Sequence, residues 1–242
     1  KTYLFYLRDD VYFHPSPLFT VDKKRKVIAS DFVYSFNRLT DPNIASPGSW
    51  VMQQVEYYEA VNDSTLKIQL KNPFPAFLGL LTMRYCAVVP HEVVEHLGNR
   101  FRSNPIGTGP FYFKRWEENI KLVLRKNPSY FEKDAQGNTL PYLEAVAIQF
   151  IPDIQSEFML FLQGKLDFIN SLDASYKDEL LTPKGALQPA YQDRVSLLNG
   201  PYLNTEYIGI YLENPNPAIQ SLKIREAINI GFDRKLMVAF LR

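Results

Sequence analysis

Cysteine, histidine and long apolar runs are what this chain has least of. Its single cysteine, Cys86, cannot close an internal disulfide, although a chain able to bury a large core does not need one, so the redox compartment stays undecided. Three histidines, His14, His91 and His96, leave little material for a metal centre. No run of about 18 apolar residues occurs, which excludes a membrane-spanning helix. Neither sign of charge dominates: 27 basic and 26 acidic side chains leave +1, so no net field draws the chain toward nucleic acid or acidic lipid. Repeats and low-complexity tracts are absent. What is present is ordinary for a folded protein, with 46% hydrophobic and 22% charged residues over 242 positions, which excludes intrinsic disorder. The 15 Tyr and 17 Phe fill a core and also suit a surface that grips varied ligands.

Catalytic constellations fail one by one. His91-Glu92-Val93-Val94-Glu95-His96 approaches a zinc-protease helix, which needs histidines at i and i+4 on one face. Here the second histidine falls at i+5, about 100° further round the helix, so an ordinary surface helix and no metal are expected. Cys86 lies in the apolar run Tyr85–Val89 and reads as a buried, inert thiol. No Gly-x-Ser-x-Gly elbow exists, and the abundant carboxylates cannot be paired from sequence. No catalytic residue and no cofactor is assigned.

The periodicities alternate between strand and helix without segregating into a regular βαβ series. Strands are expected over 2–8, 11–13, 65–70, 111–116, 120–125, 146–151, 165–169 and 206–212. Helices are expected from Ser30, as cap, to Asp41-Pro42; over 50–58; from Asn72 to Leu81; from Pro90 to Gly98; from Asp153 to Gln163, stopped by Gly164; and from about Ser221, with Ile224, Ile228 and Phe232 on one stripe. The 146–169 stretch reads as strand–helix–strand with parallel pairing. Lys23-Lys24-Arg25-Lys26 reads as a solvated loop. The fold class is therefore α+β. The chain opens at Lys1 inside a strand-like run and stops at Arg242 inside a helical pattern, so it is expected to be a piece of a longer protein, truncated at both ends.

The most informative string is Pro105-Ile106-Gly107-Thr108-Gly109-Pro110-Phe111-Tyr112-Phe113. A Walker-type phosphate loop needs Lys and Ser/Thr opening a helix; here a proline and an aromatic strand follow, which rejects nucleotide binding. The string is similar to the P-x-G-T-G-P-(Y/F) loop of the family-five extracytoplasmic solute-binding proteins of peptide and nickel ABC transporters. Further segments resemble that family in its own order. These are Tyr3–Phe13, the helix Ala29–Leu39, Pro73–Leu78 with Val88-Val89-Pro90, Asn127–Phe131 (Phe131 replacing the usual Trp), Gln163–Asp167, and Lys223–Arg234.

The resemblance implies a periplasmic-binding-protein-like lobe one with two subdomains, a small one over 1–100 and a main one over 101–242, ending near the crossover to a second lobe. It implies a two-lobed receptor closing on a peptide, dipeptide, sugar, nickel chelate or haem and delivering it to an inner-membrane permease. The full-length protein would be monomeric, periplasmic or cell-surface, and lipid-anchored. The Ser46-Pro47-Gly48-Ser49-Trp50 loop and the Tyr211-Leu212-Glu213-Asn214 strand end fall where members approach ligand. That makes Ser46, Gly48, Trp50, Tyr211, Glu213 and Asn214 the ligand-binding candidates. Glu213 takes the usual Asn position; an ionised Glu only accepts hydrogen bonds, which shifts preference toward a cationic or amine-bearing ligand. Two alternatives stay open, Trp50 as core and Glu213 as a solvated loop acid. Gly107, Gly109 and Arg225 read as structural, Arg225 through a salt bridge or a carbonyl cap. The ligand-sensing domain of a transcription regulator and a hydrolase are the rival readings.

Overall fold

The computed structural model describes residues 1–19, 24–170, 172–200, 205 and 207–241. They form two compact units, Lys1–Phe150 and Ile151–Arg242. The mixture of helix and antiparallel sheet is the expected α+β class.

In the first unit, β1 (Thr2–Tyr6), β2 (Val55–Asn62) and β3 (Thr65–Leu70) make an antiparallel sheet in the order β1-β3-β2. The alternation of β3 places Leu66, Ile68 and Leu70 in the core, while Lys67 faces outward and pairs with Glu59 at 2.9 Å. Helix α1 (Ala29–Thr40) lays Phe36 and Leu39 on this sheet with Val51, Met52 and Phe77. Burying each such side chain contributes roughly 1.5–3 kcal/mol. Two short helices follow, α2 (Phe77–Leu81) and α3 (His91–Leu97). Val93 of α3 joins Phe13, Phe19 and Val27 in a second apolar cluster.

Three expectations change here. Ser30 does not cap α1: the helix begins at Ala29 with Ile28 at the cap, the Asp31 carboxylate accepts the Ile28 N–H at 2.8 Å, and Ser30 is exposed. The basic run does not lie wholly in solvent. Arg25 turns inward, giving Asp31 two hydrogen bonds of 2.9 and 2.7 Å and Glu92 one of 3.0 Å. Burial opposes its charge, but the two carboxylates outweigh that and raise its pKa; Lys23 lies outside the described residues. Residues 50–58 are not one helix. A 3-10 turn covers Ser49–Met52, and from Val55 the chain pairs with β3 as an edge strand. Apolar residues at helical spacing (Val51, Val55, Tyr58) imitated a helix, and cross-strand pairing overrode that local pattern.

The remainder of the first unit is the antiparallel sheet β4 (Phe111–Glu117), β5 (Lys121–Lys126) and β6 (Ala145–Gln149), in that order. The expected hairpin turns at Asn119, which sits at φ 59°, a left-handed conformation asparagine tolerates. Phe131, just beyond β5, lies under the Arg8 guanidinium at 5.0 Å and so joins the two sheet regions of this unit.

The second unit opens with α4 (Ile154–Leu162), where Asp153 accepts the Ser156 N–H at 2.7 Å as the expected cap. Gly164 at φ 72° ends this helix in a conformation that favours glycine. Helices α5 (Lys177–Leu180), α6 (Pro217–Gln220), α7 (Leu222–Gly231) and α8 (Arg234–Leu241) complete it. The expected parallel strand–helix–strand unit does not form: β6 pairs antiparallel with β5, and residues 165–169 are irregular. Residues 207–212 are likewise not a strand, and 206 is outside the described residues. In both segments the β-forming sequence finds no hydrogen-bonded neighbour among the described residues, and a strand without a partner leaves its backbone groups unpaired.

Candidate functional site

The candidates fall on two short segments, one in each unit. In the first unit, the loop after α1 is tied by Asp41, which accepts the Asn43 N–H at 2.8 Å, and Ser46 Oγ accepts the Gly48 N–H at 3.3 Å. Gly48 is a packing necessity. A Cβ there would sit 2.3 Å from Cγ of Tyr85, far inside contact distance, so only glycine lets that ring lie against the backbone. Val51 and Met52 anchor the 3-10 turn in the core, which leaves Trp50 facing outward and 43% exposed. Trp50 is therefore not a core residue, and Ser46, Gly48 and Trp50 share one rigidly based loop.

In the second unit, Tyr211 is 67% exposed and its hydroxyl donates to Oε2 of Glu213 at 2.7 Å. That bond holds the phenol's proton and raises its pKa. Asn214 serves the chain itself: its Oδ1 accepts the Asn216 N–H at 3.0 Å and its carbonyl accepts from Gln220 Nε2 at 2.9 Å. Glu213 thus presents a carboxylate with one oxygen uncommitted by hydrogen bonds among the described residues, beside an exposed ring. Arg225 resolves its two readings as a carbonyl cap, donating to Ile219 O at 3.1 Å and Gln220 O at 2.7 Å at the end of α6.

The Pro105–Phe113 string leads straight into β4, as a connector would. Neither Gly107 nor Gly109 has a positive φ or a packing contact that a Cβ would break, so conformational need does not explain them. The loop is instead gripped by side chains: His14 contacts it through both ring nitrogens, and Asn127 donates to Gly109 O at 3.0 Å. Sequence reading left His14 unassigned, and no local signal could have revealed a partner 95 residues away.

Other reactive groups stay quiet. Cys86 is buried and burial pushes its thiol pKa up, the environment of an inert sulfur. His91 and His96 open and close α3, and among the described residues no three His, Cys, Asp or Glu side chains gather as a metal site. Two clefts stand out. One in the first unit, about 370 Å³, lies between β1 and α1 against Phe5, Leu7, Phe32 and Ile68. One in the second unit, about 930 Å³, mixes apolar walls with Asp167, Asn170 and Arg194. None of the six candidate residues lines either cleft.

A family model described as "Bacterial extracellular solute-binding proteins, family 5 Middle" matches residues 1–241. The chain belongs to this family. The periplasmic oligopeptide-binding protein OppA of Escherichia coli K12 is 28% identical over 231 residues, 88% of this chain and 40% of that protein. Among solved structures, DppA of Helicobacter pylori in complex with the peptide STSA is 26% identical with a TM-score of 0.64, over 74% of this chain and 36% of that one. OppA of Burkholderia pseudomallei shares the fold with a TM-score of 0.73 at 20% identity, over 99% of this chain and 46% of that one. The family-5 chain thus spans less than half the length of these relatives, and the matched relatives are binding proteins.

Proposed function

We propose that this family-5 chain is the lobe-one portion of a solute-binding receptor of an ABC transporter, which captures a peptide or related small solute and delivers it to a membrane permease. The family match along residues 1–241 carries the reading. It is supported by relatives named for oligopeptide binding and by the likeness to DppA solved with a bound peptide. In this reading a small subdomain spans 1–100 and a main subdomain 101–242, and a second lobe encoded elsewhere in the protein closes over the ligand. The complete protein works as a non-catalytic monomer in the periplasm or at the cell surface, held there by a lipid anchor.

Trp50, on a loop based in the core, and the Tyr211–Glu213 pair are the contacts assigned to the ligand, with Ser46, Gly48 and Asn214 shaping the two segments. An exposed aromatic face and an acceptor-only carboxylate suit an amine-bearing peptide, with water filling the side-chain pockets. Native mass spectrometry of the complete protein is expected to find a co-purified small solute, and calorimetry with that solute a one-to-one isotherm. Turnover of a peptide or glycoside by the purified protein would overturn the reading. So would a DNA-binding helix-turn-helix in the complete sequence, which would make the same fold a regulator's sensor.

A further inference from the structure

The connector between the 3-10 turn Gly98–Ser103 and β4 is fastened by one buried imidazole. His14 is 7% exposed. Its Nδ1 accepts the Gly107 N–H at 3.3 Å and its Nε2 lies 2.9 Å from the Gly109 carbonyl oxygen. Its own backbone N–H also donates to Gly107 O at 2.8 Å. A carbonyl oxygen only accepts and a backbone N–H only donates, so a single protonation state satisfies both contacts: a neutral ring with its proton on Nε2. A second proton, on Nδ1, would face the Gly107 N–H donor to donor and break that bond. We infer that His14 is an acid-sensitive latch, in which the neutral Nε2–H ring holds residues 105–110 against the segment 11–14 and protonation at Nδ1 releases them.

The surroundings favour this behaviour. From β4 the facing group is Tyr112, with ring centres 6.2 Å apart, and from the end of β5 it is Asn127, which is neutral and bonded to the same Gly109 carbonyl. On the segment before it, Phe13 carries Arg25 over its ring at 5.7 Å, and that cation is already paired with Asp31 and Glu92. Among the described residues, only burial and the Gly109 carbonyl bear on the titration of His14; burial dominates and lowers its pKa, and the carbonyl opposes. Among the described residues, no carboxylate contributes to its titration.

The sign follows by linkage. In the released state the ring titrates near its ordinary value of about 6.5, whereas in the latched state it stays neutral to lower pH. The latch is therefore at full strength above about 6.5, and it weakens as pH falls through the latched ring's own pKa. Over that window the opening equilibrium grows by up to about tenfold per pH unit. The test uses the complete protein with ¹⁵N-labelled histidine and hydrogen-exchange mass spectrometry of the peptide covering 105–113. Long-range ¹⁵N–¹H spectra at neutral pH are expected to show His14 as the Nε2–H tautomer. Exchange in 105–113, corrected for its intrinsic pH dependence, is expected to accelerate on acidification in the wild type. In His14→Gln, whose amide offers one donor and one acceptor without titrating, it should not. An Nδ1–H tautomer, or a wild-type acid response no steeper than that of His14→Gln, overturns the latch. Should His14→Gln fail to fold, the tautomer and the wild-type exchange profile decide by themselves.

Discussion

At the scale of single residues, two positions carry opposite meanings. Gly48 is fixed by packing: with Tyr85 Cγ 2.3 Å from where a Cβ would stand, Gly48→Ala forces the ring or the loop to move. The expected cost is roughly 1–3 kcal/mol of stability. Tyr85→Ala in the same chain should recover part of it, so the two changes are non-additive in chemical denaturation. A loss in the double variant equal to the sum of the two single losses would show that the Tyr85 ring is not the obstacle. Glu213 is the reverse case, an exposed carboxylate that the receptor reading assigns to the ligand. Glu213→Asn in the complete receptor should change ligand affinity by about tenfold or more while leaving stability within about 0.5 kcal/mol. An unchanged binding isotherm would remove Glu213 from the site. Legibility at this scale followed chemistry that is local in sequence. Asp153 as a cap was readable because a cap depends on near neighbours, and Cys86 as an inert thiol because it stands in an apolar run. Arg25 and His14 were not: Asp31 is six residues from Arg25, but Glu92 is 67 away, and Gly109 is 95 from His14.

Elements were legible where one face decides them and illegible where a neighbour does. β3 was plain because Leu66, Ile68 and Leu70 alternate with polar residues. The β4–β5 hairpin was plain because its turn is short and polar. β2 was mistaken for helix, since only its register with β3 makes it a strand, and the 165–169 and 207–212 segments were mistaken for strands. The turn that follows the β4–β5 pair offers a test at this scale. Asp134 accepts the N–H groups of Gln136 and Asn138, the Asn138 amide at 2.9 Å and the Tyr142 hydroxyl at 2.7 Å. Led by the Asn138 and Tyr142 side chains, these bonds pull its pKa down to about 2. Because the folded value is depressed, the turn keeps its full hold above the ordinary carboxylate pKa of about 3.9. It loosens as pH falls from there through about 2. A carboxyl-carbon NMR titration should place the Asp134 midpoint well below those of the exposed acids. A midpoint among theirs would mean that the Asp134 bonds are not formed in solution.

At the scale of the whole molecule, the two units differ in how far they can sustain themselves. Of 18 buried apolar residues among those described, only Phe158 and Leu180 belong to Ile151–Arg242. That unit also exposes Leu198, Tyr207, Ile208, Tyr211 and Ile230, between 67% and 84% each. Under the receptor reading, the second lobe and the rest of the protein cover exposed apolar residues of this kind. The first unit holds both apolar clusters and both three-stranded sheets. Expressed separately, residues 1–150 should therefore unfold in one cooperative transition, with coincident near- and far-ultraviolet circular dichroism curves. Residues 151–242 alone should bind a hydrophobic dye and lack a near-ultraviolet signal, as a chain does when secondary structure outlasts fixed packing. Cooperative melting of 151–242 by itself would mean that its own small core suffices without cover from the rest of the protein.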